Sequence, residues 1–205
     1  MKKLSNSIVL QGVQLGLNSL NKKDYKFKKE EGVYHCSVVI PKKSQEFKGL
    51  YGYIKEVLSK KNLIPKDIKA DKMPIKDGDK IFAGLKQDTE KIKGEWLKGN
   101  YTVKILTNRD YKVFDEIGQE LDKKDVAFTG AKVNIHCTPY YYENDYGKGI
   151  QILLHAINIL DEGFGAKDDS REAFGFDSED NKENDISDLG NTSDEDPGDG
   201  EDLPF

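Results

Sequence analysis

The stretch from Gly130 to Tyr142 carries side chains suited to holding a chain of phosphates and flat rings. Successive side chains on a strand point to opposite faces. Ala131, Val133, Ile135 and Cys137 therefore share one face and read as core. Lys132, Asn134, His136, Thr138, Tyr140 and Tyr142 share the other. That face offers a cation, polar groups and aromatic rings, the combination that neutralises phosphates and stacks nucleobases. A stacked base contributes about 1–3 kcal/mol whatever its identity, because every base has a π-face. Tyr141, Tyr146 and Lys148 crowd the turn that follows. Lys104, which shares the polar face of its strand with Thr102, joins Arg109, Lys112 and Lys148 as expected phosphate partners. Residues 1–160 hold 28 lysines and a single arginine, Arg109. Lysine lacks the planar fork with which arginine reads guanine, so the pattern predicts backbone binding without base readout. The competing reading is ordinary: tyrosines on a sheet are often half-buried core, and lysines often only solvate.

Other chemistries find less support. His35-Cys36 and His136-Cys137 resemble metal-ligand pairs, but neighbours on one strand diverge and cannot clamp one zinc together. Cys36 is in phase with Val38 and Ile40, as Cys137 is with Val133 and Ile135, so both thiols are expected in the core. Asp77-Gly78-Asp79 suggests a divalent ion, yet an acidic turn containing glycine is far commoner. The chain contains no nucleophile motif, phosphate-binding loop or dinucleotide fingerprint. No enzyme activity, cofactor or metal is expected.

The elements that must position these residues read mostly as strands. Residues 9–17 alternate roughly, 33–40 alternate clearly and end at Pro41, and 101–106 form another strand. Residues 112–115 and 119–121 flank a Gly118 turn as a hairpin. Residues 131–142 and 150–160 form a long pair joined by 143–149. Phe47, Leu50, Tyr51, Ile54, Val57 and Leu58 follow helical spacing. Residues 62–95, punctuated by Pro65, Pro74, Gly78, Gly84 and Gly94, read as a long connection with one short helical turn at most. There are no internal repeats. Short strands at turn-punctuated spacing with one amphipathic helix predict a mainly β protein, an OB-fold-like five-stranded barrel.

Charge divides the chain. Of 205 residues, those from 161 onward carry a net charge of −14 and those before carry +9. A basic body with an acidic tail points to nucleic acid for the body and to interaction for the tail. The expected boundary puts the domain at 1–165 and a disordered acidic tail at 166–205, because 177–202 offer only Ile186 and Leu189 to bury. Mean hydropathy is −0.71 and no apolar run approaches the roughly 20 residues of a spanning helix. Gln11, Gly12, Gln14, Gly16 and Asn18 interrupt what would be the apolar core of an export signal. Two cysteines are too few for a disulfide framework, and a cytoplasmic protein is expected.

The tail closes Asp199-Gly200-Glu201-Asp202-Leu203-Pro204-Phe205. Chemically this is a peptide ligand: Phe205 fills an apolar pocket while its carboxylate, Glu201 and Asp202 meet a basic rim. The ending resembles the acidic tip of bacterial single-stranded DNA-binding proteins. That resemblance implies docking of replication, repair and recombination proteins through Glu201, Asp202, Leu203, Pro204 and Phe205. The body resembles instead the OB-fold single-stranded DNA-binding proteins of tailed phages. The resemblance rests on Val38-Val39-Ile40-Pro41-Lys42 before a helix, Pro74-Ile75-Lys76-Asp77-Gly78-Asp79, Val113-Phe114-Asp115 with Gly118, and the hairpin around Tyr140 to Gly149. It spans roughly residues 5–165, and Asp110-Tyr111-Lys112 departs from the Arg-Pro element that the family places there.

The resemblance implies coating of phage replication intermediates in the host cytoplasm, with homo-oligomers open as a possibility. The expected contacts are Lys132, His136, Tyr140, Tyr142 and Tyr146, with Lys104, Arg109, Lys112 and Lys148 on phosphates. An acidic tail beside a basic body also suggests a tethered competitor for the groove. The rival readings are a strand-annealing recombination protein, an acidic DNA-mimic or adaptor whose body binds no DNA, and a nuclease resting on Asp77 and Asp79.

Overall fold

The computed structural model describes residues 1–4, 6–26, 30–86, 94–126 and 128–163, all within the first of two units of the chain, Met1–Lys167. The expected tail and its Glu201-to-Phe205 tip lie outside the described residues.

Among the described residues, eleven strands and α-helices follow in order: β1 (Lys2–Lys3), β2 (Ile8–Asp24), β3 (Val33–Pro41), α1 (Gln45–Ser59), β4 (Ile75–Asp77), α2 (Gly78–Ala83), β5 (Asn100–Thr107), β6 (Lys112–Phe114), β7 (Glu120–Leu121), β8 (Lys132–Asn144) and β9 (Gly147–Asp161). Five of these strands close a barrel. β2 pairs antiparallel with β3 and β8, β3 with β5, and β8 with β9. A single parallel bridge, Leu106 to Leu153, joins β5 to β9 and completes the ring. The expected five-stranded OB-like barrel is therefore present. The other strands are short additions: β1 on β2, β4 on β5, and the β6–β7 hairpin on β9.

The barrel interior is filled by one alternating set from each strand, including Leu10, Val38, Ile105, Ile135 and Ile152, each without solvent exposure. The rough alternation of β2 has a physical cause. Ile8 and Leu10 are buried, then Val13 and Leu15, a phase slip of one residue. The register with β8 jumps between Leu10 and Val13, where Gly12 adopts φ +59°. This is a bulge whose left-handed residue tolerates only a small side chain.

Helix α1 lies in sequence between β3 and β5 and packs against β2, β3 and β8. Ser44 caps it, its Oγ accepting the Phe47 N–H at 3.1 Å. Leu50, Tyr53, Ile54 and Leu58 are buried; Phe47 and Tyr51 stay half-buried and stack on one another with centroids 5.8 Å apart. Cys36 and Cys137 are both buried, as the phase predicted, and burial alone pushes the Cys36 thiol up to about 12.

Two expectations need correcting. Residues 62–95 are not a mere connection: they contain short 3-10 turns at Pro65–Asp67 and Ala70–Lys72, then β4 and α2. β4 escapes notice because three residues between Pro74 and Gly78 show no usable alternation. The second correction concerns the long hairpin. Asn144 pairs with Gly147, so the turn is two residues rather than seven, and most of 143–149 is strand.

Candidate nucleic-acid interface

The barrel seam is where the outward face becomes concave. One edge of β5 pairs with β3 along its whole length. The opposite edge is shared: β4 takes Tyr101 to Val103, and β9 touches only at Leu106. Two depressions flank that single bridge. The first, about 470 Å³, is lined by Lys72, Met73, Pro74, Lys104, Leu106, Tyr140, Tyr142, Asn144 and Gln151, among others. The second, about 390 Å³, is lined by Leu106, Asn108, Arg109, Asp110, Tyr140, Gln151, Leu153 and His155, among others. Leu106, Tyr140 and Gln151 belong to both, so the two form one groove crossing the seam.

Tyr140 and Tyr142 reach this groove because alternation on β8 survives Pro139. Pro139 is buried opposite Ile152, and Tyr140 and Tyr142 stand opposite Gln151 and Gly149 on the outward face. Proline is tolerated because β8 pairs with β2 only as far as Cys137. The Tyr140 and Tyr142 rings lie 6.5 Å apart and tilted by 53°, and the Tyr140 hydroxyl donates to Gln151 Oε1. Tyr142 lies over Gly149: a Cβ there would collide with its hydroxyl and ring edge. Glycine at 149 thus leaves the space in which this ring rests. Tyr141 points the other way and packs against the core. Burial, then its 2.7 Å hydrogen bond to Glu143, pushes its phenol up to about 12.

Arg109 is presented by an anchored loop. Its N–H donates to Thr107 Oγ1 at 3.2 Å, and Asn108 donates to Glu31 at 3.0 Å. Asp110 pairs with Lys123, whose ammonium sits 4.4 Å from the Tyr34 ring centroid. Tyr111 is held below by a 2.7 Å bond from its hydroxyl to the Leu20 carbonyl.

The remaining expected residues are placed less centrally. His136 lies outward on β8, hydrogen-bonded to Ser7 at 2.8 Å, with its ring 5.0 Å from that of His155. Lys132 is exposed on β8 beside Gly12 of the bulge. Lys112 faces outward on β6 opposite Ala156 and pairs with Glu120 at 2.6 Å. Lys148 pairs across the hairpin with Glu143 at 3.2 Å. Tyr146 stands at the hairpin tip, 86% exposed. The groove thus gathers Lys104, Arg109, Tyr140 and Tyr142, while Lys112, Lys132, Tyr146 and Lys148 are not among its lining residues.

Sequence reasoning missed Lys72, Asn108, Gln151 and His155. Alternation along β9, with Gln151, Leu153 and His155 outward, carried the signal for two of them.

Asp77 and Asp79, on which the nuclease and metal rivals rested, have a structural task. Lys42 bridges them at 2.6 and 2.7 Å, and its hydrogen bonds hold both carboxylates below their usual range. Asp79 also accepts the Gly99 N–H at 2.8 Å, and Asp77 caps α2 by accepting the Asp79 N–H at 2.9 Å.

A five-stranded barrel with an aromatic and basic groove on its outer face defines an OB-fold of the kind that binds nucleic acid strands. The chain belongs to the family of the Enterobacter phage Enc34 ssDNA-binding protein, whose model matches residues 7–187. The fold is shared with the single-stranded DNA-binding protein of bacteriophage Enc34 in complex with ssDNA. That likeness has 20% identity and a TM-score of 0.64, over 80% of this chain and 97% of that one. A C-terminal truncation of the Enc34 protein gives 22% identity and a TM-score of 0.61, over 80% of this chain and 96% of that one. No curated protein sequence matches.

Proposed function

We propose that this chain coats single-stranded DNA without sequence preference during phage DNA replication or recombination, using the groove across the β5–β9 seam. The observation that carries this reading is the continuity of the groove: Lys104 and Tyr142 at one end, Tyr140 in the middle and Arg109 at the other. Rings at this spacing stack bases of any identity, and the cations track phosphates. His136 flanks the groove through His155, and Lys112, Lys132, Tyr146 and Lys148 extend the reading to neighbouring surface. Membership in a phage ssDNA-binding family supports the substrate. The reading includes no catalytic step, and the Lys42 bridge between Asp77 and Asp79 argues against a nuclease.

The test is binding of a fluorescent oligo-dT across a salt series. Affinity should fall by roughly 0.7 log units per log unit of salt for each phosphate contact released. Failure to bind at low salt would favour the acidic-mimic or adaptor reading instead. Strand annealing between complementary oligonucleotides would favour the recombination rival over simple coating.

The tail completes the proposal. Glu201, Asp202, Leu203, Pro204 and Phe205 dock replication or recombination partners, and the −14 charge from residue 161 onward competes with DNA for the +9 body. Removing residues 166–205 is expected to tighten oligo-dT binding, most at low salt, and to abolish partner capture. Equal affinities of the full and truncated chains would contradict the competition.

Gly149→Ala gives a finer test. The added methyl group meets the hydroxyl end of the Tyr142 side chain rather than backbone, so thermal stability should change little. Oligo-dT affinity is expected to fall by about the loss of one stack, 1–3 kcal/mol. Unchanged affinity would remove Tyr142 from the site.

A further inference from the structure

The second depression has a chemistry of its own. Its polar lining residues include Arg109, His155, Thr107, Asn108, Gln151 and Tyr140. Among the described residues, the carboxylate that lines it, Asp110, is paired with Lys123. We propose that Arg109 and His155 form the seat for one backbone phosphodiester, and that His155 takes up a proton as the seat fills. This rests on the single-strand reading above and adds a proton-linked contact to it.

Hydrogen bonding provides for the second proton. The Thr138 hydroxyl donates to the Asn6 carbonyl at 3.3 Å and lies 2.8 Å from His155 Nε2. When the ring carries both protons, Nε2–H donates to the Thr138 oxygen while the Thr138 hydroxyl donates to Asn6, so the charged imidazole keeps its partner. In the empty groove three influences oppose a second proton. Partial desolvation of this exposed ring is the largest, followed by His136 and Arg109, and together they hold His155 below its usual value. A phosphodiester carries one negative charge and offers only acceptors. Placed between His155 and Arg109, it offsets their repulsion and raises the imidazole pKa.

The direction of linkage follows. A group whose pKa rises on binding favours the complex most at low pH. Affinity therefore increases as pH falls through the bound-state pKa and levels off below the lowered free-state value. Other charged and titratable groups surround the seat. Lys123 keeps Asp110 below the carboxylate range, and guanidinium and phenol groups titrate far above neutrality. Lys112, opposite Ala156 on the neighbouring strand, is an ammonium paired with Glu120. His35, opposite Leu106, is committed to Asp24 at 3.2 Å. His136, the remaining histidine, bonds to Ser7 and adds to the repulsion.

The experiment measures oligo-dT affinity of the full chain from about pH 7.5 down to about pH 5.5 at fixed ionic strength, a range set by histidine titration. Thymine has no group that titrates there. One linked proton limits the slope to tenfold per pH unit, so a total gain of about five- to tenfold is expected. His155→Gln should remove most of that gain, and His35→Gln should keep it. Protonation of tail carboxylates acts on all three proteins alike and cancels in the comparison. The imidazole NMR resonances of His155 should move toward the protonated form when oligo-dT is added at neutral pH. A gain that survives in His155→Gln, or a wild-type affinity independent of pH, would overturn the proposal. No binding at any pH would instead overturn the single-strand reading itself.

Discussion

Replacing Tyr140 and Tyr142 together by alanine is expected to weaken oligo-dT binding by about 2–6 kcal/mol, two stacks at about 1–3 kcal/mol each. That corresponds to at least about a thirtyfold rise in Kd. The fold should tolerate the change. Both side chains point outward into the groove, whereas the neighbouring Pro139 and Tyr141 face inward and stay in place. The salt slope should also survive, because Lys72, Lys104 and Arg109 still line the groove. Affinity lost with an unchanged slope separates stacking from charge. An affinity within about twofold of wild type would mean that the strand runs elsewhere.

The second large effect concerns stability. Gly78→Ala is expected to destabilise the domain by about 1–3 kcal/mol or more, the range for overpacking against a rigid neighbour. A Cβ at 78 would collide with the carbonyl oxygens of Leu97 and Asn100. Both are backbone atoms, so no side-chain rotation relieves the clash. The segment also holds β4 on β5 through Lys76 and Asp77, and it carries the Asp77–Lys42–Asp79 bridge. Denaturant unfolding should show a lower midpoint for Gly78→Ala. Gly52→Ala is the contrast, since a methyl group there meets nothing within 4 Å and the position is helical. Equal midpoints for Gly78→Ala and wild type would refute the close approach.

The Pro-Ile-Lys-Asp-Gly-Asp stretch shows how function and packing are confused in a sequence. Two acids around a glycine suggested metal chemistry, but their spacing serves a helix cap and a lysine bridge. Lys42 lies 35 residues away from Asp77, so only the tertiary fold reveals the pairing. Lys112 and Lys148 show a more local version of the same confusion. Each looked like an available cation, but Lys148 stands opposite Glu143 in the hairpin register and Lys112 reaches Glu120 diagonally across the β6–β7 pair.

What was legible followed from periodicity. The β8 face, the α1 stripe, the buried thiols and the barrel composition all depend on repeats of two or about 3.6 residues. Tyr140 and Tyr142 were found because a two-residue period passes through Pro139 without slipping. Lys72 was not, because it comes from a 3-10 turn that reaches the groove only once β4 docks on β5. His155 lay between these cases. Its strand was identified, but its partner across the seam is set by one parallel bridge that no local pattern encodes.

The most direct test of the groove is photo-crosslinking with an oligonucleotide carrying 5-iododeoxyuridine, followed by mass mapping of the adducts. Crosslinks are expected at Tyr140 and Tyr142, with peptides containing Lys104 and Arg109 protected from lysine- and arginine-directed reagents. Adducts confined to the β6–β7 hairpin, or to Phe47 and Tyr51 of α1, would place the strand on another surface and contradict the account.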